Sequence, residues 1–247
     1  MDVQSSIKHY LEWTGFGRFC PKAVLFDMDG VLYDSMPRHA VCWVKAMRKF
    51  GLDMTEQQAY EYEGMRGVET IQLLARLQKG KELTEEEAQP VYDEKSRLFH
   101  LMGEAPLMPG AMELMQALKA GGWRIGIVTG SGQRPLIQRV LSDFHEFVEQ
   151  QHLVTAYDVK HGKPAPDPYL MGLQKAGNLQ PCEAIVVENA PLGVEAATAA
   201  GIFTIAVNSG NLPESSLKKA DILFDSMTSL TEAWNELSTT LQYNQEK

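Results

Sequence analysis

Cysteine is scarce, and the little there is cannot build a framework. Cys20, Cys42 and Cys182 are odd in number, lie far apart and form no C-x-x-C pair. This argues against a disulfide scaffold and against a thiolate zinc site, and leaves buried or idle thiols as the reading for all three. Positive charge is also short: Lys plus Arg number 23 against 32 Asp plus Glu, a formal net charge of −9, with no block of basic residues. No apolar run approaches the ~20 residues that a membrane span needs, and the stretch MDVQSSIKHYLEWTGFGRF has no apolar h-region of a signal peptide. The expectation is a cytoplasmic protein whose partners include neither nucleic acid nor a membrane surface.

What is present is a recurring alternation. Short apolar runs at 23–27 (AVLFD), 123–129 (WRIGIVT), 152–159 (HLVTAYDV), 183–189 (EAIVVEN), 203–208 (FTIAVN) and 221–225 (DILFD) are separated by helical patterns such as 134–142, 168–176 and 191–200. Near-continuous apolar strands alternating with helices predict an α/β fold, a doubly wound parallel sheet covered on both faces. Ligands of such sheets sit beyond the carboxyl ends of the strands. The stretch 37–106 breaks the alternation and reads as helical throughout, with Thr84 and Glu87 spaced as a capping box. The expected organisation is a helical extension at 1–21, an α/β core at 22–36 and 107–247, and an inserted all-helical cap domain at 37–106, placed to act as a lid.

The strand ends carry the chemistry. The first apolar run ends in DMDGVLYDS, which sets Asp27 and Asp29 one residue apart. Asp27 alone would be read as a helix cap. Two adjacent carboxylates repel, however, and are costly to hold together without a cation. An EF-hand loop is excluded, because its glycine stands sixth and helices flank it, whereas here Gly30 is fourth and an apolar strand precedes. Thr129 closes another run and leads into Gly130-Ser131-Gly132, a turn whose N–H and hydroxyl groups suit a phosphate. Glu188 and Asn189 in VVENAPLGVEAA offer oxygen ligands to a hard cation such as Mg²⁺. Lys163, in the proline-rich HGKPAPDPY, is placed to neutralise a carboxylate and a phosphoryl oxygen.

Taken together and in this order, DMDGVLYDS, VTGSG, GKPAPDPY and ENAPLGVEAA resemble the four motifs of the haloacid-dehalogenase superfamily, over nearly the whole chain, and the helical insertion is similar to the cap of its β-phosphoglucomutase-like branch. The resemblance implies a Rossmann-like core and an aspartyl-phosphate mechanism. Asp27 would be the nucleophile and Asp29 the acid and base. Thr129 and Lys163 would hold the phosphoryl oxygens, with Gly130 and Ser131 beside them. Mg²⁺ would lie between Asp27, the Asp29 backbone carbonyl, Glu188 and Asn189. The dehalogenases lack the second acid, so Asp29 argues for phosphoryl transfer. The branch also implies a monomer with a moving lid.

Within that branch His39 fits the mutase-like pattern, Lys95 resembles a cap lysine, and Arg66 offers a cationic grip on a substrate. Two departures stand out. In YEGMRGVET the mutases' cationic residue before the glycine is Glu63, and the usual metal-binding Asp of the fourth motif is Asn189. The two changes are complementary, since a closing cap would return the lost carboxylate to the metal. Glu63 would then occupy the space of a sugar leaving group. The Glu/Asn pair resembles the inorganic pyrophosphatases of the branch, which makes pyrophosphate the expected substrate. β-Phosphoglucomutase or a small sugar-phosphate phosphatase is the alternative. A non-catalytic binding module is disfavoured because both acids are retained.

Overall fold

The computed structural model describes residues 2–243. Six parallel strands, β1 (Ala23–Phe26), β2 (Arg124–Val128), β3 (Leu153–Val154), β4 (Ala184–Glu188), β5 (Phe203–Val207) and β6 (Ile222–Phe224), form one sheet in the order β3-β2-β1-β4-β5-β6. Every residue of β1, β4 and β5 is buried, which is why these strands read as unbroken apolar runs.

Side chains alternate across the sheet, so each strand feeds two cores. Val24, Phe26, Ile125, Ile127, Ile185, Val187, Phe203 and Ile205 pack with helices α1 (Val3–Thr14), α6 (Ala111–Ala120), α7 (Arg134–Asp143) and α10 (Met227–Tyr243). Ala23, Leu25, Val128 and Val186 face α8 (Asp167–Lys175) and α9 (Pro191–Ala199) on the other side. The amino-terminal helix α1 belongs to the first of these cores: Tyr10 is fully buried among Phe16, Phe19 and Phe203, and its hydroxyl donates to the Gly201 carbonyl at 2.8 Å.

Between β1 and α6 run α2 (Met36–Lys49), α3 (Glu56–Glu61), α4 (Gly67–Lys79) and α5 (Glu85–Leu101), which share an apolar cluster of their own built on Trp43, Met47, Ile71, Leu74 and Val91. Capping boxes start two of them, Thr55 with Gln58 for α3 and Thr84 with Glu87 for α5. Among the described residues no helix is long and apolar enough to cross a membrane. The three cysteines are buried and unbridged.

One expected strand is shorter than its sequence suggests. The run 152–159 yields only Leu153–Val154, because the Asp158 carboxylate accepts from both the N–H and the hydroxyl of Thr155 at 2.8 Å and folds the chain into a turn.

At the opposite edge, Asp221 accepts the Thr204 N–H at 2.8 Å, and burial raises its carboxyl to about 6. A carboxyl raised in the folded state adds stability that is complete below the unfolded value and lost as pH rises through the folded one. Relative to wild type, Asp221→Asn is therefore expected to gain about 2 kcal/mol between pH 4 and pH 7. Denaturant titrations of both proteins across that range check this; parallel pH profiles would refute it.

Candidate active site

The carboxyl ends of β1, β2 and β4 bring Asp27, Thr129, Glu188 and Asn189 to one place, and the cap closes over them. A chamber of about 60 Å³ is lined by Asp27, Asp29, His39, Glu63, Lys95, Thr129, Gly130 and Ser131, among others. At roughly 10–15 Å³ per water it holds about four to six waters, the size of a phosphate group rather than of a hexose.

Beneath the chamber lies a buried ion cluster. Lys163 Nζ donates to Asp27 Oδ1 at 2.5 Å, to Glu188 Oε1 at 2.6 Å and to the Val128 carbonyl at 3.2 Å, and its side chain is fully buried. Burial lowers the Lys163 ammonium, but the two carboxylates outweigh it and hold it above the ordinary lysine value, so it stays a cation. Burial and the neighbouring Glu188 push Asp27 upward against the pull of Lys163. All three N–H groups of Lys163 are committed, so in this arrangement it aims and neutralises Asp27 rather than reaching for a phosphoryl oxygen.

Asp29 sits in a second network. Its Oδ1 accepts from Ser35 Oγ at 2.5 Å and pairs with His39 Nε2 at 3.0 Å, and His39 Nδ1 faces Lys95 Nζ at 2.7 Å. A neutral His39 that donates from Nε2 and accepts at Nδ1 satisfies both contacts. Burial and Lys95 keep His39 below its usual value. Burial pushes Asp29 up, but His39 and Ser35 outweigh it and leave its carboxyl below the ordinary range. Lys95 is enclosed by Trp43 and Phe99, with its Nζ 5.2 and 5.3 Å from their ring centres, and burial lowers it to about 8.

Glu63 comes from the cap. It ends at a turn whose next residue, Gly64, has φ +86° and lies so close to Lys163 that a Cβ would stand 2.8 Å from the lysine Cδ. Only glycine allows that approach, and it brings Glu63 Oε2 within 3.3 Å of Asn189 Nδ2. Burial and repulsion from Asp27, Asp29 and Glu188 raise Glu63 well above the usual carboxylate range.

These residues fit a divalent cation. Glu63 Oε1 and Asn189 Oδ1 are buried acceptors without a donor, and four acids have only Lys163 and Lys95 as cations in and beneath the chamber, a crowding that a divalent cation would relieve. Among the described residues no three His, Cys, Asp or Glu side chains form a metal site by themselves, so amide and backbone oxygens would belong to the set.

Two expected site residues are engaged with other partners. Glu188, expected as a metal ligand, has both oxygens engaged: Oε1 accepts from Lys163 and from the Tyr169 hydroxyl at 2.7 Å, and Oε2 from the N–H groups of Asn189 and Ala190 at 2.9 and 3.1 Å. It positions Lys163 instead. Arg66, expected to grip substrate, donates to the Lys160 carbonyl at 3.0 Å and to Glu85 at 3.2 Å, which ties the cap to the core loop before Lys163. Ser35, Tyr169 and Tyr92 entered the site without any sequence signal, since a serine at a helix start and tyrosines at helical spacing are ordinary caps and core residues.

A family model for "haloacid dehalogenase-like hydrolase" matches residues 21–201. Hexitol phosphatase A of Escherichia coli (strain K12) is 35% identical and covers 85% of this chain and 93% of its own length. β-Phosphoglucomutase of Bacillus subtilis (strain 168) is 26% identical and covers 76% and 84%. A solved structure described as a putative β-phosphoglucomutase from Bacteroides vulgatus is 45% identical, with a TM-score of 0.92 over 97% of this chain and 98% of that one.

Proposed function

Since the chain belongs to the haloacid dehalogenase-like hydrolase family, we propose that it is a phosphatase of small phosphate compounds in which Asp27 and Asp29 carry the reaction. The observation that carries this reading is the buried Lys163–Asp27 contact at 2.5 Å beside an Asp29 held by its own partners. A carboxylate oxygen of Asp27 attacks phosphorus, and the bond from phosphorus to the leaving oxygen breaks as Asp29 gives that oxygen a proton. Water then attacks the aspartyl phosphate, its proton returns to Asp29, and Asp27 is released. Asp29 rests as the carboxylate, the form that the second half-reaction needs, and an arriving phosphate dianion favours its protonation for the first. Thr129 and the Gly130-Ser131 turn face the phosphoryl group. Asp27, the Asp29 backbone carbonyl, Glu63 and Asn189 would hold Mg²⁺, which supplies neutralisation of phosphoryl charge.

Two substrate classes follow, supported by different observations. The names of the relatives favour a small sugar phosphate or a mutase-type substrate, the alternative of the sequence reading, and none of the relatives named above is a pyrophosphatase. The local geometry favours inorganic pyrophosphate, because Glu63 reaches Asn189 and the chamber around Asp27 has room for little more than phosphate. Phosphate release from pyrophosphate and from a panel of sugar phosphates, with a coupled assay on β-glucose 1-phosphate, separates them. A higher kcat/KM on any sugar phosphate than on pyrophosphate transfers the assignment to that class.

Glu63→Ala tests the local part. It is expected to lower turnover about 10–100-fold and to raise the Mg²⁺ concentration required by a similar factor. Metal titration of activity and calorimetric Mg²⁺ binding measure both, and an unchanged Mg²⁺ requirement removes Glu63 from the metal set.

A further inference from the structure

Beside the inner chamber, along the seam between cap and core, lies a second cavity of about 440 Å³. That is the size of small-molecule sites in general. The two spaces have five residues in common: Asp29, Gly67, Tyr92, Gly130 and Gln133. Two of these are glycines, which contribute only backbone, and Tyr92 is the largest side chain of the other three.

Tyr92 is fixed from both sides. On the cap its ring lies against Gly67, where an added Cβ would stand 2.2 Å from two ring carbons. On the core its hydroxyl accepts the Gly132 N–H at 3.3 Å, while the carbonyl of the same glycine accepts from the Tyr157 hydroxyl at 2.5 Å. The phenol thus bridges α5 to the phosphate-facing turn and stands between the small chamber and the large cavity. Asp29, the acid that serves the leaving oxygen, opens on both.

We infer that Tyr92 is the residue that sets substrate size: its ring closes the inner chamber toward the outer cavity and confines hydrolysis to compounds whose leaving group fits beside the phosphoryl group. With the ring removed, the two spaces join past Asp29, and the organic part of a larger phosphomonoester has somewhere to lie. The inference rests on the phosphatase reading, and its test includes a measurement that does not require turnover.

In wild type, Tyr92→Phe and Tyr92→Ala, kcat/KM is measured for pyrophosphate, glycerol phosphate and glucose 6-phosphate. Tyr92→Ala is expected to raise the ratio of glucose 6-phosphate to pyrophosphate at least ~10-fold, chiefly through KM, whereas Tyr92→Phe, which keeps the ring, holds the ratio within about 3-fold. Tyr92→Leu replaces the alanine variant if that fails to fold. An unchanged ratio in a folded alanine or leucine variant overturns the inference, as does an equal widening in Tyr92→Phe. Calorimetric binding of phosphate and glucose 6-phosphate to Asp27→Asn and to Asp27→Asn/Tyr92→Ala provides the second measurement. Tighter glucose 6-phosphate binding confined to the double variant supports the partition, and equal binding to both overturns it. If wild type releases phosphate from nothing in the panel, the phosphatase reading fails separately, while the binding comparison still decides the role of Tyr92.

Discussion

Asp27→Asn lowers kcat at least ~10⁴-fold, the scale on which enzymes lose rate when a nucleophile is removed, and leaves the fold in place. The amide has the shape of the carboxylate, and its oxygen still accepts from Lys163 Nζ, which sits 2.5 Å from Asp27 Oδ1. What it lacks is the charge that attacks phosphorus. Stability is expected to change little, because Lys163 keeps Glu188 at 2.6 Å as its counter-ion. The substitution also takes one acid out of a crowded group, for burial and Glu188 both press on the Asp27 carboxyl. Steady-state phosphate release and a thermal melt, run side by side, check the two halves. Residual turnover above about 1% of wild type, in protein free of deamidated chains, would remove Asp27 from the nucleophile's role. A cooperative melt near that of wild type is needed for the kinetic result to mean what it says.

The legibility of this site follows from where its residues stand. β1, β4 and β5 are buried on both faces, so their apolar runs mark both the strands and the points where they end. A polar residue at such an end is conspicuous, which is why Asp27 and the Glu188–Asn189 pair stand out, as does Thr129 after the four buried residues that close β2. As two compensating changes of charge, Glu63 and Asn189 stand out only against the pattern of the branch the chain resembles, and in the structure Asn189 Nδ2 donates to Glu63 Oε2 at 3.3 Å. Direction was harder. A carboxylate at a strand end can turn toward the cavity or back toward the core, and Glu188 turns back, drawn by Lys163, Tyr169 and two backbone N–H groups. Arg66 lies in the loop expected to meet substrate, yet its guanidinium donates to the Lys160 carbonyl and to Glu85. Tyr92 gave no signal, since nothing in a helical period distinguishes a ring that packs in a core from one that separates two cavities. The outer strand was over-read for a related reason: Thr155 has high strand propensity, but Asp158 three residues on offers its backbone a better partner.

The largest effect on stability is expected from Lys163→Met. Its Nζ is the cation between Asp27 and Glu188, and both carboxylates are almost fully buried. A methionine of similar length fills the same space beneath Gly64 but returns no charge, leaving two almost fully buried acids without a counter-ion between them. Removing one partner of a buried ion cluster costs about 3–5 kcal/mol, because the remaining charges stay desolvated and uncompensated. At about 2–4 °C per kcal/mol for a chain of this size, the melting temperature should fall by about 6–20 °C. The cause is separable from lost packing. If uncompensated charge dominates, adding Asp27→Asn to Lys163→Met restores about 1–3 kcal/mol, since one of the two facing acids is gone. If packing dominates, the second substitution restores nothing. A loss below about 1 kcal/mol in the single variant would mean that the acids share a proton when the lysine is absent. In that case Lys163 is retained to keep Asp27 ionised, and its removal would appear as a shifted pH–rate profile instead of a lower melting temperature.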